Sequence, residues 1–123
     1  IEVSRMREVI KRTPRFALRV FTPGERHYCD GRGALAPQHY AARFAAKEAA
    51  FKALQTGWSG GMAWQDVEVV SQPSGAPVLH LHKLARTLFE QSGADTIHLT
   101  LSHTAESAIA QVIFERQSSS EKR

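Results

Sequence analysis

The sequence holds a single cysteine, Cys29, in 123 residues, which excludes an intramolecular disulfide framework and a cysteine-built zinc module and suits a reducing compartment. It contains no apolar run near the roughly 20 residues that a membrane span needs, and its first residues lack the charged-then-apolar order of a signal peptide. No internal repeat and no second-domain linker interrupts it. Acidic residues are in deficit, 12 against 16 lysines and arginines, for a net charge of +4 and a pI near 9.6. That imbalance suits an acidic partner: nucleic acid, a phosphorylated small molecule or an acidic protein. What is there is a 42% hydrophobic chain, enough apolar material for one core. The expectation is one soluble, cytoplasmic domain over 1–123 with 117–123, serine-rich and charged, as a flexible tail.

Along the chain, Ile1–Val3 reads as the end of a strand, and Ser4 as the cap of a helix that Pro14 stops after Arg12. The apolar segment Phe16–Phe21 has no assignable type. Thr22, Pro23, Gly24 and Glu25 form a capping box with proline at the first helical position, starting a short helix near His27 and Tyr28. A loop from Asp30 to Ala36 precedes the strongest helical pattern, Pro37–Leu54, with Tyr40, Phe44, Phe51 and Leu54 in one stripe and alanine filling much of the rest. Glycines 57, 60 and 61 end it. Asp66–Ser71 and Val78–His82 alternate as strands around a turn at 72–77, Lys83–Gln91 reads as a helix, and Thr96–Leu101 and Ser107–Phe114 as two more strands. The predicted class is α+β, with N-terminal helices and a long central helix packed on a small antiparallel sheet.

Two segments carry candidate chemistry. On the long helix, Glu48 and Lys52 stand one turn apart, about 80° and 120° round from Tyr40, with Ala41 and Ala45 leaving room beside them. A carboxylate suited to a hard cation next to an ammonium is what holding a magnesium-bound diphosphate requires. The alternative is an exposed pair worth about 0.2–0.5 kcal/mol of helix stability. In the segment I-H-L-T-L-S-H, His98, Thr100 and Ser102 share one strand face and His103 emerges at its end. That face lines a polar cleft or meets solvent on a one-sided sheet. His80 and His82 share a strand face but show no third ligand for zinc, so they read as solvent-facing. The loop at 56–61 resembles a phosphate cradle without the Walker ending. Cys29, beside Asp30 and near His27, reads as a partly buried thiol rather than a nucleophile. Arg5, Arg7, Lys11, Arg12 and Arg15 make a dense basic cluster.

In order, E-V-S-R-M, R-F-A-L-R-V-F-T-P-G-E, R-F-A-A-K-E-A-A-F-K-A, V-E-V-V-S-Q-P-S-G-A-P-V-L and H-L-T-L-S-H-T-A-E-S-A-I-A-Q-V-I-F-E resemble the bacterial holo-acyl-carrier-protein synthases over essentially the whole chain. The resemblance implies the 4′-phosphopantetheinyl transferase fold and transfer of 4′-phosphopantetheine from coenzyme A to a serine of apo-acyl carrier protein, supporting fatty acid biosynthesis. It implies Glu48 as a magnesium ligand, Lys52 as a diphosphate contact, and Arg43, His98, Ser102 and His103 as positions around coenzyme A. Glu48 is the expected base and Lys52 the group that stabilises the leaving phosphate. A homotrimer with shared active sites is implied; with an acidic carrier as partner, the basic cluster is expected to dock it through contacts that include Arg5, Arg12 and Arg15.

Two departures from the family stand out. Its opening strand, of Gly-x-Asp type with a second magnesium ligand, is expected just before Ile1. Gln55 also replaces the first glycine of the Lys-Ala-x-Gly-Thr-Gly run. Competing readings are a non-catalytic coenzyme A or carrier-protein binding module and a small basic nucleic-acid-binding protein. The latter leaves Glu48, Lys52 and the polar strand unexplained and lacks a helix-turn-helix or RNA-recognition signature, so neither nucleic acid nor membrane is expected as a partner.

Overall fold

The computed structural model describes residues 1–54 and 61–117. Helices α1 (Val3–Arg12), α2 (Pro14–Val20) and α3 (Pro23–Asp30) come first, then a 3-10 turn at Gly33–Leu35 and the long α4 (Ala36–Leu54). A second 3-10 turn, Trp64–Asp66, enters the hairpin of β1 (Val67–Ser71) and β2 (Pro77–Leu81). Helix α5 (Lys83–Gln91) separates it from a second hairpin, β3 (Thr96–His103) with β4 (Ala108–Glu115). The α+β class is as expected, with the antiparallel pairing divided into two two-stranded sheets among the described residues.

Local chemistry explains most boundaries. Pro14 ends α1 and, because its missing N–H costs nothing in a first turn, starts α2 across Phe16–Val20. The capping box closes as expected: Glu25 N–H donates to Thr22 Oγ1 (3.1 Å) and Thr22 N–H to Glu25 Oε1 (2.9 Å). Ser4, in contrast, is not the cap of α1, which begins at Val3 with Glu2 in the cap position and no side-chain cap bond. Tertiary pairing overrides the local signal. Glu2 bridges Ser107, Ile1 exchanges two backbone hydrogen bonds with Ala108, and Val3 N–H donates to Glu106 O. The strand-like reading of Ile1–Val3 is met only by this bridge. Asp66 lies in the turn before β1, where its Oδ2 accepts from Ala63 N–H at 3.1 Å. Pro77 pairs with Ser71 as the first residue of β2, a position where a strand tolerates proline.

Helix α4 runs through the middle of two apolar clusters. One gathers Ala46, Phe51, Val67, Leu81 and Phe89, the other Val3, Met6, Val20, Phe21 and Tyr40, and both reach Trp64 and Leu101. Of the expected stripe, Tyr40, Phe51 and Leu54 are buried and Phe44 partly so. The same helix also buries Arg43 and Lys47, which at 100° per residue lie about 60° and 20° round from Tyr40, at the edge of the apolar stripe and within it. Lys47, fully buried, sits 2.9 Å from Glu25 Oε1 and donates to Trp64 O (3.2 Å) and Val67 O. Glu25 Oε2 accepts from Val69 N–H at 2.7 Å. Burial lowers the Lys47 pKa and the Glu25 charge opposes that shift. One ion pair thus ties α3, α4 and β1 together.

Candidate active site

Glu48 is half-buried and Lys52 exposed on α4. Other charges spaced by one helical turn close on each other, Glu8 with Arg12 and Arg86 with Glu90, each at 2.9 Å. Glu48 and Lys52 make no ion pair or hydrogen bond with each other or with any other described residue. The helix-stabilising explanation of their spacing is therefore not realised among the described residues.

Arg43 projects roughly 140° round the helix from Glu48, at 100° per residue. It is 3% exposed, donates through Nη2 to Ser71 Oγ at 3.1 Å, and stacks 4.1 Å from the centre of the Tyr28 ring. Arg32 lies 4.2 Å from the same ring centre, so two cations share one aromatic side chain. Arg43 Nε is buried without a hydrogen-bond partner among the described residues. An orphaned buried donor on a guanidinium is costly and fits a group that meets a ligand oxygen. Tyr28 and Arg32 were not legible as site residues, because neither falls on a motif or a shared helix face with Arg43.

Strand β3 divides its polar residues. His98, Thr100 and Ser102 are exposed, and their cross-strand partners Ile113, Gln111 and Ile109 share that outward face. Ile109 is 66% and Ile113 48% exposed, an apolar content that a merely solvated face does not need. His98 Nε2 lies 2.7 Å from Glu115 Oε1. His103 has the opposite parity and turns inward with Leu99 and Leu101, where it meets Gln38 and His39 of α4. A single chain therefore gathers Arg43 with His103 through His39 but leaves Glu48 with Lys52, and His98 with Ser102, on other surfaces.

The remaining candidates sort quickly. His80 and His82 are exposed, and His82 Nε2 pairs with Glu68 Oε1 at 2.9 Å. Among the described residues no group of three or more His, Cys, Asp or Glu side chains is placed to hold a metal ion. Cys29 is fully buried, more so than expected, and burial pushes its thiol up to about 12. Native protein should leave Cys29 unmodified by an aromatic disulfide reagent and release one thiol equivalent on denaturation; rapid native labelling would contradict that. Gln55 and, apart from Gly61, the phosphate-cradle loop at 56–61 lie outside the described residues. On the basic side, Arg5 lines an open, mostly apolar cavity of about 470 Å³ with Met6, Val9, Phe16 and Phe44. Arg5 and Arg12 line an adjoining groove, while Arg15 is exposed on α2.

An α+β domain that offers a free carboxylate and lysine on one helix, and an orphaned buried guanidinium beside histidines, has the equipment of an enzyme for phosphorylated substrates. Residues 1–112 match the 4′-phosphopantetheinyl transferase superfamily. The chain is 49% identical over 98 residues to a holo-[acyl-carrier-protein] synthase of Geobacter sp. (strain M21), covering 80% of this chain and 78% of that one. It is 44% identical over 116 residues to a holo-[acyl-carrier-protein] synthase of Koribacter versatilis, covering 94% and 92%. Among solved structures it resembles the Helicobacter pylori holo-[acyl-carrier-protein] synthase in complex with coenzyme A, with a TM-score of 0.79, 28% identity and coverage of 94% and 95%. It also resembles the Bacillus anthracis synthase in complex with CoA (3′,5′-ADP), with a TM-score of 0.76, 32% identity and coverage of 95% and 91%. The chain belongs to the 4′-phosphopantetheinyl transferase superfamily.

Proposed function

We propose that this protein is a holo-[acyl-carrier-protein] synthase that moves 4′-phosphopantetheine from coenzyme A to a serine of apo-acyl carrier protein, in the cytoplasm and in support of fatty acid biosynthesis. The observation that carries the reading is that Glu48 and Lys52 on α4 have no partner among the described residues, in a family whose members named above are carrier-protein synthases. No helix among the described residues is long and apolar enough to cross a membrane.

In the reaction the carrier serine oxygen attacks the phosphorus that bears pantetheine, and the bridging P–O bond to the second phosphate breaks. Glu48 takes the serine proton, directly or through a water, and adenosine 3′,5′-bisphosphate leaves as an anion that Lys52 stabilises. Arg43, through its orphaned Nε, and His103 bind phosphate oxygens of coenzyme A. His98 and Ser102, on the outward face of β3, would join that binding surface only across a contact with a neighbouring copy. A lone free carboxylate fits magnesium, which keeps several waters and takes further ligands from substrate phosphates. Glu48 would hold that ion, whose chemistry there is neutralisation of phosphate charge.

Separation of Arg43 and His103 from Glu48 and Lys52 supports a homotrimer in which neighbouring copies complete each site. The exposed Ile109 and Ile113 beside His98 and Ser102 favour that outward face as the contact. Arg5, Arg12 and Arg15 would dock the acidic carrier, with the apolar cavity beside Arg5 taking a nonpolar side chain. Reversing the three charges to glutamate should weaken carrier binding at least about tenfold at low salt while leaving coenzyme A binding intact. Carrier affinity unchanged by that reversal would remove the docking role. The reaction itself is tested by product analysis: adenosine 3′,5′-bisphosphate should accumulate only when apo-carrier is present, and a binding module would release none.

A further inference from the structure

We propose that Gln38 and His39 are positioning residues for His103, holding its imidazole so that Nε2 is the atom offered to the phosphorylated substrate. The identity of that substrate rests on the transferase reading; the geometry of the imidazole does not. His103 Nδ1 lies 2.9 Å from Gln38 Oε1. An amide oxygen only accepts, so Nδ1 carries the hydrogen whether the ring is neutral or charged. Nε2 has no hydrogen-bond partner among the described residues. It is left as the ring's acceptor when neutral and as a second donor when protonated.

His39 fixes the plane of the ring. Its own ring meets that of His103 edge-on at 4.7 Å and 63°, and is backed by Tyr28 at 5.6 Å and 71°. Tyr28 in turn stacks with Arg43 and Arg32. Gln38, His39 and Arg43 all belong to α4, so one helix sets the cluster's spacing. Two imidazoles this close do not readily share two protons. Burial first, then the charges of His103, Arg43 and Arg32, push His39 down to about 4. The elements packed on β3 carry further charged and titratable groups: Lys47, Glu48 and Lys52 on α4, Glu115 on β4 and His80 on β2, with Glu106 on the turn after β3 and the α-amino group of Ile1 beside β4. That amino group bonds the carbonyl of Ala108, the cross-strand partner of His103.

The test is two-bond nitrogen–proton correlation on histidine-labelled protein, with transfer kinetics alongside. Neutral His103 should show the Nδ1–H form. Gln38→Leu should move it towards Nε2–H and lower kcat/KM for carrier loading about tenfold or more, the scale on which a misplaced site group is felt. Gln38→Glu should restore most of that rate and raise the His103 protonation midpoint by roughly one unit, as a neighbouring carboxylate does. An Nε2–H form in the unmodified protein, or a tautomer and midpoint unmoved by both substitutions, would overturn the proposal. If the spectra behave as described while the unmodified protein loads no carrier, the positioning stands and the transferase reading fails.

Discussion

Glu48→Ala should lower the rate of carrier-protein loading by about 10²–10⁴-fold at saturating magnesium, the range that a positioned general base contributes. The loss should come with almost no change in stability, within about 0.5 kcal/mol, because the half-buried carboxylate makes no hydrogen bond or ion pair with any described residue. Glu48→Gln, which keeps the shape and removes the charge, should be nearly as slow. Initial rates together with a thermal melt separate this from a folding defect. Near-normal transfer by Glu48→Ala would remove Glu48 from the chemistry and leave its freedom from Lys52 unexplained.

Glu25→Gln is expected to have the opposite profile, a large loss of stability from a residue with no part in the reaction. Lys47 is fully buried against Glu25 at 2.9 Å, and removing one partner of such a pair costs about 3–5 kcal/mol because the other charge is left uncompensated. Domains of this size have about 5–15 kcal/mol in all, so the urea midpoint should fall sharply. The double variant Glu25→Gln/Lys47→Met should recover part of the loss, since no lone charge then remains inside. A Glu25→Gln protein that loses less than about 1 kcal/mol would mean that the pair is not the tie between α3, α4 and β1.

Element types were legible wherever a local rule coincided with packing. The Thr22–Glu25 capping box and the long stripe of α4 kept their roles, because the cap bonds are made within one turn and the apolar stripe faces both clusters. The start of α1 was not legible, since pairing of Glu2 with Ser107 more than a hundred residues away decides it. Nor was burial of Lys47 and Arg43: a charged side chain inside alanine-rich sequence reads as surface unless its partner, here Glu25 or Tyr28 from α3, is known. At the site, Glu48 and Lys52 were visible from one-turn spacing, and the alternation of β3 marked His98, Thr100 and Ser102. The inward turn of His103 onto Gln38 and His39 depends on how β3 crosses α4, which sequence spacing does not carry.

The most direct measurement is the mass of apo-acyl carrier protein after incubation with this protein, coenzyme A and magnesium. The account predicts a gain of one phosphopantetheine group, confined to a single serine and lost when that serine is replaced. A carrier of unchanged mass, with the enzyme folded and coenzyme A intact, would contradict it.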